Sequence, residues 1–202
     1  SEEVARTRRE QGRLQTQLRD IEQENQRYSA QYVEVERQNT NLANLYVASY
    51  RLHGTLDRDE VVTVVQEILA NLVGSEESAI FEAAADGSTL ALVAATGIDP
   101  GTCRSIAVGQ GLIGRAVVSG EPWIRSAALP AEAQPYETEL TACIPLLLDG
   151  RAIGAIALFR LLPQKSGVIE ALDRELFELL ATHAATALYC SARSRTEAGA
   201  GV

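Results

Sequence analysis

Val108-Gly109-Gln110-Gly111-Leu112-Ile113-Gly114-Arg115-Ala116-Val117, with Gly120-Glu121-Pro122 close behind, is the run that decides how this chain folds. Glycine tolerates the left-handed backbone that other residues avoid, so Gly109 and Gly111 mark a tight turn. Leu112, Ile113, Ala116 and Val117 then recur at helical spacing. A short helix over 112–119 is predicted, stopped by Gly120 and turned by Pro122 into a strand over 123–126. A strand over 105–108 leads into the turn.

Working outward, apolar strands are predicted at 79–85 and 89–96, with Asp86-Gly87 as the hairpin turn. A second hairpin pairs 143–148 with 152–160 across Asp149-Gly150. In its second strand Ile153, Ala155, Ala157 and Phe159 point one way and Ile156 and Leu158 the other. Apolar residues on both faces call for helices on both faces. Pro145 has no N–H to give a ladder, which predicts a bulge or an edge beside it. The polar stretch 127–140 reads as a loop or short helices. Val61, Val62, Val65, Ile68, Leu69, Leu72 and Val73 form one helical stripe, capped by Thr55 or Asp57 and ended by Gly74-Ser75. A last helix runs from about 167 or 168 to 195, and 196–202 is read as a disordered tail.

Residues 4–49 follow a different rule. Val4, Gln11, Leu18, Asn25, Tyr32, Asn39 and Tyr46 fall on one heptad position, and Thr7, Leu14, Ile21, Tyr28, Val35, Leu42 and Ser49 on the other. A seam with this 3.5-residue period is a left-handed coiled coil. Asn25 and Asn39 occupy a positions, where an asparagine pairs with its twin across a parallel two-stranded axis. A homodimer built on a parallel coiled coil over 1–50 is therefore predicted; the alternative is a solvent-exposed single helix. The seam already runs at residue 4 and the chain contains no Met. Both observations predict an excised piece whose coil continues into an upstream domain or partner protein.

Charge and composition exclude several classes. Residues 1–58 carry nine Arg and nine acids, so the whole net charge of −9 lies in 59–202. An acidic globular part disfavours nucleic acid and anionic membrane surfaces. No run is long and apolar enough to insert in a membrane. Three widely spaced cysteines and two histidines without ligand spacing predict no disulfide framework, no metal and no cofactor, and a cytoplasmic location.

The order of elements, together with the glycine run, Gly120-Glu121-Pro122, Ile144-Pro145-Leu146, Gly150, Ile153-Gly154 and the long Ala-rich last helix, resembles a GAF domain over about 45–192, and 45–195 is taken as that domain with its flanking helices. The resemblance implies an α/β (α+β) fold with a central antiparallel sheet of about six strands. Helices 45–54, 55–73 and 168–195 would cover one face. The 112–119 helix and the 127–140 stretch would cover the other, over the pocket where family members place a ligand when they have one. It also implies dimer contacts through the first and last helices. The motifs of several family activities are absent. The cyclic-nucleotide pattern Asn-Lys-x-x-x-Phe-x-x-x-Asp-Glu does not occur, and no cysteine stands just before a histidine as in bilin binders. Free methionine-(R)-sulfoxide reductases have Gly-x-Cys-Gly where this chain has Gly111-Leu112-Ile113-Gly114. Ile113 in the cysteine's place speaks against that enzyme, and the chain is read as having no catalytic residues.

Candidate pocket residues are Arg104, Arg115, Trp123, Arg125, Tyr136, Glu139 and Cys143. The three arginines would either converge on an acidic ligand or serve as ordinary surface charge. Trp123 would stack on a ligand or pack as core or lid. Cys143 reads as a small buried side chain, and Gly109, Gly111 and Gly114 either offer N–H groups to an anion or simply make the turn. Candidate dimer contacts are Leu14, Leu18, Ile21, Asn25, Tyr28, Tyr32, Val35, Asn39, Leu42 and Tyr46 on the coil. On the last helix they are Leu172, Leu176, Leu179 and His183. Two functions fit: a non-enzymatic dimeric signalling or scaffold module, or a small-molecule sensor whose ligand reshapes the helical bundle.

Overall fold

The structure is a computed structural model and describes residues 2–55, 57–126, 128–161 and 171–199. The chain divides into two compact units, Ser1–Ala43 and Asn44–Val202.

The first unit is the bulk of helix α1 (Glu2–Gly54). It is polar around most of its surface and holds itself by near neighbours on one face, such as Arg6–Glu10 at 3.6 Å and Arg37–Glu34 at 2.9 Å. Such solvent-exposed pairs add little to the helix. Its apolar seam lies open: Leu14, Leu18, Ile21, Tyr28, Tyr32, Val35 and Leu42 are each more than half exposed.

The second unit contains the last turns of α1, then α2 (Arg58–Ile68), which widens into a π-helical turn over Leu69–Val73. Asp57 caps α2, accepting N–H bonds from Asp59 and Glu60, and Gly74 ends the helical run in the left-handed conformation. The strands are β1 (Ser75–Ala83), β2 (Thr89–Thr96), β3 (Ser105–Ala107), β4 (Trp123–Ile124), β5 (Ala142–Leu148) and β6 (Arg151–Leu161). Helix α3 (Gly111–Ser119) lies between β3 and β4, and α4 (Ala171–Gly199) follows β6. The six strands form one sheet in the order β3-β2-β1-β6-β5-β4, with every pairing antiparallel.

Each face of the sheet carries its own core. On one, Ile80, Ile144, Ile156 and Leu158 pack with Leu52, α2 and the α4 residues Phe177, Leu180, Ala184 and Leu188. On the other, Phe81, Cys143, Ala155, Ala157 and Phe159 pack with Leu112, Ile113, Ala116 and Leu140. This is the two-sided covering that the alternation in β6 requires.

Pro145 stands in register opposite Ala155, and β4 pairs only with Cys143 and Ala142. The proline therefore sits where β5 has lost its β4 neighbour, one residue before a register shift at Leu146/Leu147. That shift leaves Ile153 as an extra residue in β6. Ile153 consequently joins the Ile156 and Leu158 face rather than the face of Ala155 and Ala157 on which simple alternation put it. Strict period-2 counting fails across a bulge.

The last helix also differs from expectation. It continues through 196–199, which the sequence reading placed in a disordered tail. None of Thr196, Glu197 and Ala198 is a helix breaker. Residues 200–202, and the expected helix start at 167–170, lie outside the described residues. Among the described residues no helix is long and apolar enough to cross a membrane.

Candidate functional site

The site of interest is the sheet face beneath α3. Its roof begins at the glycine turn after β3. Gly109 and Gly111 have φ of 88° and 65°, and Gly109 N–H donates to Gly114 O at 3.0 Å. A Cβ on Gly114 would stand 2.6 Å from Ala107 O. These three glycines therefore make the turn and let α3 lie close to the strand before it, as one of the two sequence readings held.

The opening N–H groups of α3 are nevertheless engaged with an anion, and it belongs to the chain. Glu137, at the end of the short 3-10 turn Pro135–Glu137, is wholly buried. Its Oε2 accepts Leu112 N–H at 3.0 Å and Gln134 N–H at 2.8 Å, and its Oε1 accepts Ile113 N–H at 2.8 Å. A carboxylate at a helix N-terminus meets both free N–H groups and the positive end of the helix dipole. Glu137 is absent from the candidate residues read from the sequence. Its signal is Gln134-Pro135-Tyr136-Glu137, a capping-box spacing with proline at the first helical position, hidden in a helix one turn long.

The candidate pocket residues do not assemble as one ligand cradle. Arg104 is exposed beside β3, and its carbonyl accepts Leu92 N–H. Arg115 is exposed and lies 3.6 Å from Glu132. Arg125 donates from Nε to Leu140 O at 2.7 Å and from Nη2 to Thr138 O, holding backbone. Trp123 pairs with Cys143 across β4–β5 and packs, partly exposed, against the core beneath α3. Tyr136 also packs there, and burial first, then Glu137 and Cys103, push its hydroxyl up to about 12. Cys143 is wholly buried; burial, then the neighbouring Glu137, push its thiol well above the ordinary range. Burial likewise raises Cys103. Tyr136 and Glu139 share a lining, that of an open cleft of about 320 Å³ bordered also by Glu77, Ile98, Asp99 and Phe159.

On the opposite face of the domain, α4 meets the last turns of α1. His183 is partly buried, with Ser49 Oγ 3.4 Å from its ring nitrogens. Leu176 is 4% exposed within a single chain. Little of Leu176 is therefore open to a second copy. Leu179 is 43% exposed, and Asn25, Asn39 and Tyr46 on α1 are exposed as well. The side chain of Leu172 lies outside the described residues. No group of three or more His, Cys, Asp or Glu is placed to hold a metal ion among the described residues.

The family model for the GAF domain matches residues 55–188. No curated protein matches the chain. Among solved structures, the GAF domain from a phosphoenolpyruvate-protein phosphotransferase of Coxiella burnetii aligns with a TM-score of 0.66 and 17% identity, over 80% of this chain and 98% of that one. Free methionine-R-sulfoxide reductase of Neisseria meningitidis, in complex with its substrate, gives 0.64 and 17%, over 78% and 93%. Residues 122 to 287 of a methyl-accepting chemotaxis protein give 0.57 and 22%, over 71% and 96%. At these identities the likeness is one of fold.

Proposed function

The chain belongs to the GAF domain family, a family of signalling and sensory domains, and on that premise we propose that it is a non-enzymatic, dimeric module that organises or relays protein–protein contacts through its first helix. In this reading residues 1–50 form a parallel two-stranded coiled coil, 45–195 the GAF domain with its flanking helices, and the coil leads to an upstream domain or partner. The observation that carries it is the open seam of α1. Leu14, Leu18, Ile21, Tyr28, Tyr32, Val35 and Leu42 follow one another at steps of three, four or seven residues and stand more than half exposed. Apolar surface costs roughly 25 cal/mol per Å² to leave in water, and a second copy of the same stripe covers it.

The absence of chemistry in this reading rests on Ile113 in the reductases' cysteine position and on a Cys143 thiol held protonated by burial. A thiol reaction needs the opposite, an exposed thiolate. A cytoplasmic setting fits three cysteines that are free thiols. Light scattering of the chain at micromolar concentration tests the proposal. A dimer mass is expected, and a monomer mass at all concentrations would end it.

A second reading, a small-molecule sensor, is favoured by the cleft between Tyr136, Glu139 and Phe159. Its volume is at the lower end for ligand sites. Thermal-shift screening of small cationic and aromatic compounds, with Glu139→Ala as control, decides that reading.

A further inference from the structure

Glu137 does more than end a short turn. A wholly buried carboxylate is tolerated only when its oxygens are hydrogen-bonded, and here three backbone N–H groups do this within 3.0 Å. Two of the donors, Leu112 and Ile113, belong to α3, and the third, Gln134, to Glu137's own segment. Gly111 is shaped to admit the group: φ is 65°, and a Cβ there would stand 2.6 and 2.7 Å from the two carboxylate oxygens. From the other side, Arg125 holds the carbonyls of Thr138 and Leu140. Residues 134–140 are thus a strap fastened twice, by a carboxylate reaching inward from the strap and by a guanidinium reaching onto it. Leu140, the last residue of the strap, is wholly buried in the core under α3.

We propose that Glu137 is an internal ligand that locks this strap shut. The sheet face under α3 is then closed by the protein's own carboxylate, with no small molecule needed. Released from Glu137, the N–H groups of Leu112 and Ile113 are donors for a small free carboxylate, the chemistry that Glu137 itself supplies. The proposal is independent of the coiled-coil dimer and stands or falls separately from it.

The test is hydrogen exchange by mass spectrometry on the full chain. Glu137→Gln keeps the shape of the side chain but sets an NH2 group among three donors. Gly111→Ala drives Glu137 out without altering it. Both variants should speed exchange at least tenfold over 129–140 and at the opening amides of α3, and leave β1 and β6 at wild-type rates. Glu137→Ala should be raised in melting temperature by sodium formate, saturably, and not by sodium chloride of equal ionic strength, while the wild type responds to both salts alike. Three results would overturn the proposal: wild-type exchange of the strap in both variants, exchange accelerated equally across β1 and β6, or formate no better than chloride for Glu137→Ala. A Glu137→Ala chain that fails to fold with or without formate counts as the last of these.

Discussion

The imidazole of His183 on α4 meets that of His53 near the end of α1 edge to face, with ring centroids 5.1 Å apart. Nδ1 of His53 lies 2.8 Å from Ser49 O, and because a carbonyl only accepts, that nitrogen carries the hydrogen. His183 is held below the ordinary histidine value of 6.5, first by burial and then by His53. A depressed pKa means that the unfolded chain binds the proton more readily than the folded one. The contribution of this site is therefore complete above pH 6.5 and is lost as pH falls through the lower, folded value. Melting temperature should drop between pH 7 and pH 5, and His183→Gln should flatten part of that drop. The ring is partly exposed, so solvent screening keeps the difference to roughly 1 °C. Parallel melts of both proteins across this range check the sign.

Gly154 and Gly12 should respond in opposite directions to alanine. A Cβ on Gly154 would stand 2.2 Å from Phe81 O in the neighbouring strand, and that backbone cannot yield without parting β1 from β6. Gly154→Ala should cost about 2–4 kcal/mol or prevent folding, in the range of other severe core lesions. Gly12 has nothing within 4 Å of an added Cβ and lies inside α1. Gly12→Ala should stabilise the helix by about 1 kcal/mol. Circular dichroism melts of the two variants provide the comparison.

The three thiols should separate cleanly by reactivity. Cys190 is exposed, whereas Cys103 and Cys143 are buried and their thiols are raised by burial. A colorimetric disulfide reagent should label one thiol per native chain at pH 8 and three in denaturant, and Cys190→Ser should remove the native reaction. For the same reason no thioredoxin-coupled turnover of free methionine sulfoxide is expected. Turnover that disappears with Cys143→Ser would contradict the non-enzymatic reading.

Much of the domain was legible because its signals are local. Asp57 caps α2, the Gly109–Gly111 turn opens α3, and the two Asp-Gly dipeptides sit in the hairpin turns between β1 and β2 and between β5 and β6. What escaped depends on residues far apart in the chain. Glu137 lies 24 residues from Ile113, and nothing in its neighbourhood marks it as buried. Ile153 changes face because of one extra residue in β6, a register event fixed by pairing with β5. Arg125, read either as a cation for an acidic ligand or as ordinary surface charge, spends its guanidinium on the carbonyls of Thr138 and Leu140. Charge type is readable from sequence; the partner that a charge finds is not.

Replacing both Asn25 and Asn39 by Leu should raise the melting temperature of the dimer and broaden its range of oligomers. Buried asparagines at a positions cost stability while fixing register and strand number. Both residues are exposed in the single chain, so the effect should vanish under dilution to monomer. Sedimentation equilibrium of the double variant would show trimer or mixed species if the prediction holds, and an unchanged dimer mass with unchanged stability if these residues remain in solvent.

Leu176 and Leu179 on α4 are three residues apart and should behave quite differently when changed to Glu. Leu176 is 4% exposed, so Leu176→Glu puts a charge where no partner waits, at a cost of several kcal/mol to the domain itself. Leu179 is 43% exposed, and Leu179→Glu should leave the folded domain within about 0.5 kcal/mol of wild type. If α4 of one copy meets α4 of another beside the coil, Leu179→Glu should still weaken association of the GAF domains, measured on a fragment beginning at residue 44, while the full chain remains dimeric through Leu14, Leu18, Ile21 and Leu42. The coil holds the two domains at high effective concentration, so a weak contact between them is enough to order the pair. Cross-links between α4 residues of two copies, present in wild type and lost in Leu179→Glu, would establish that contact; their absence in both would leave the domains as separate heads on one stalk.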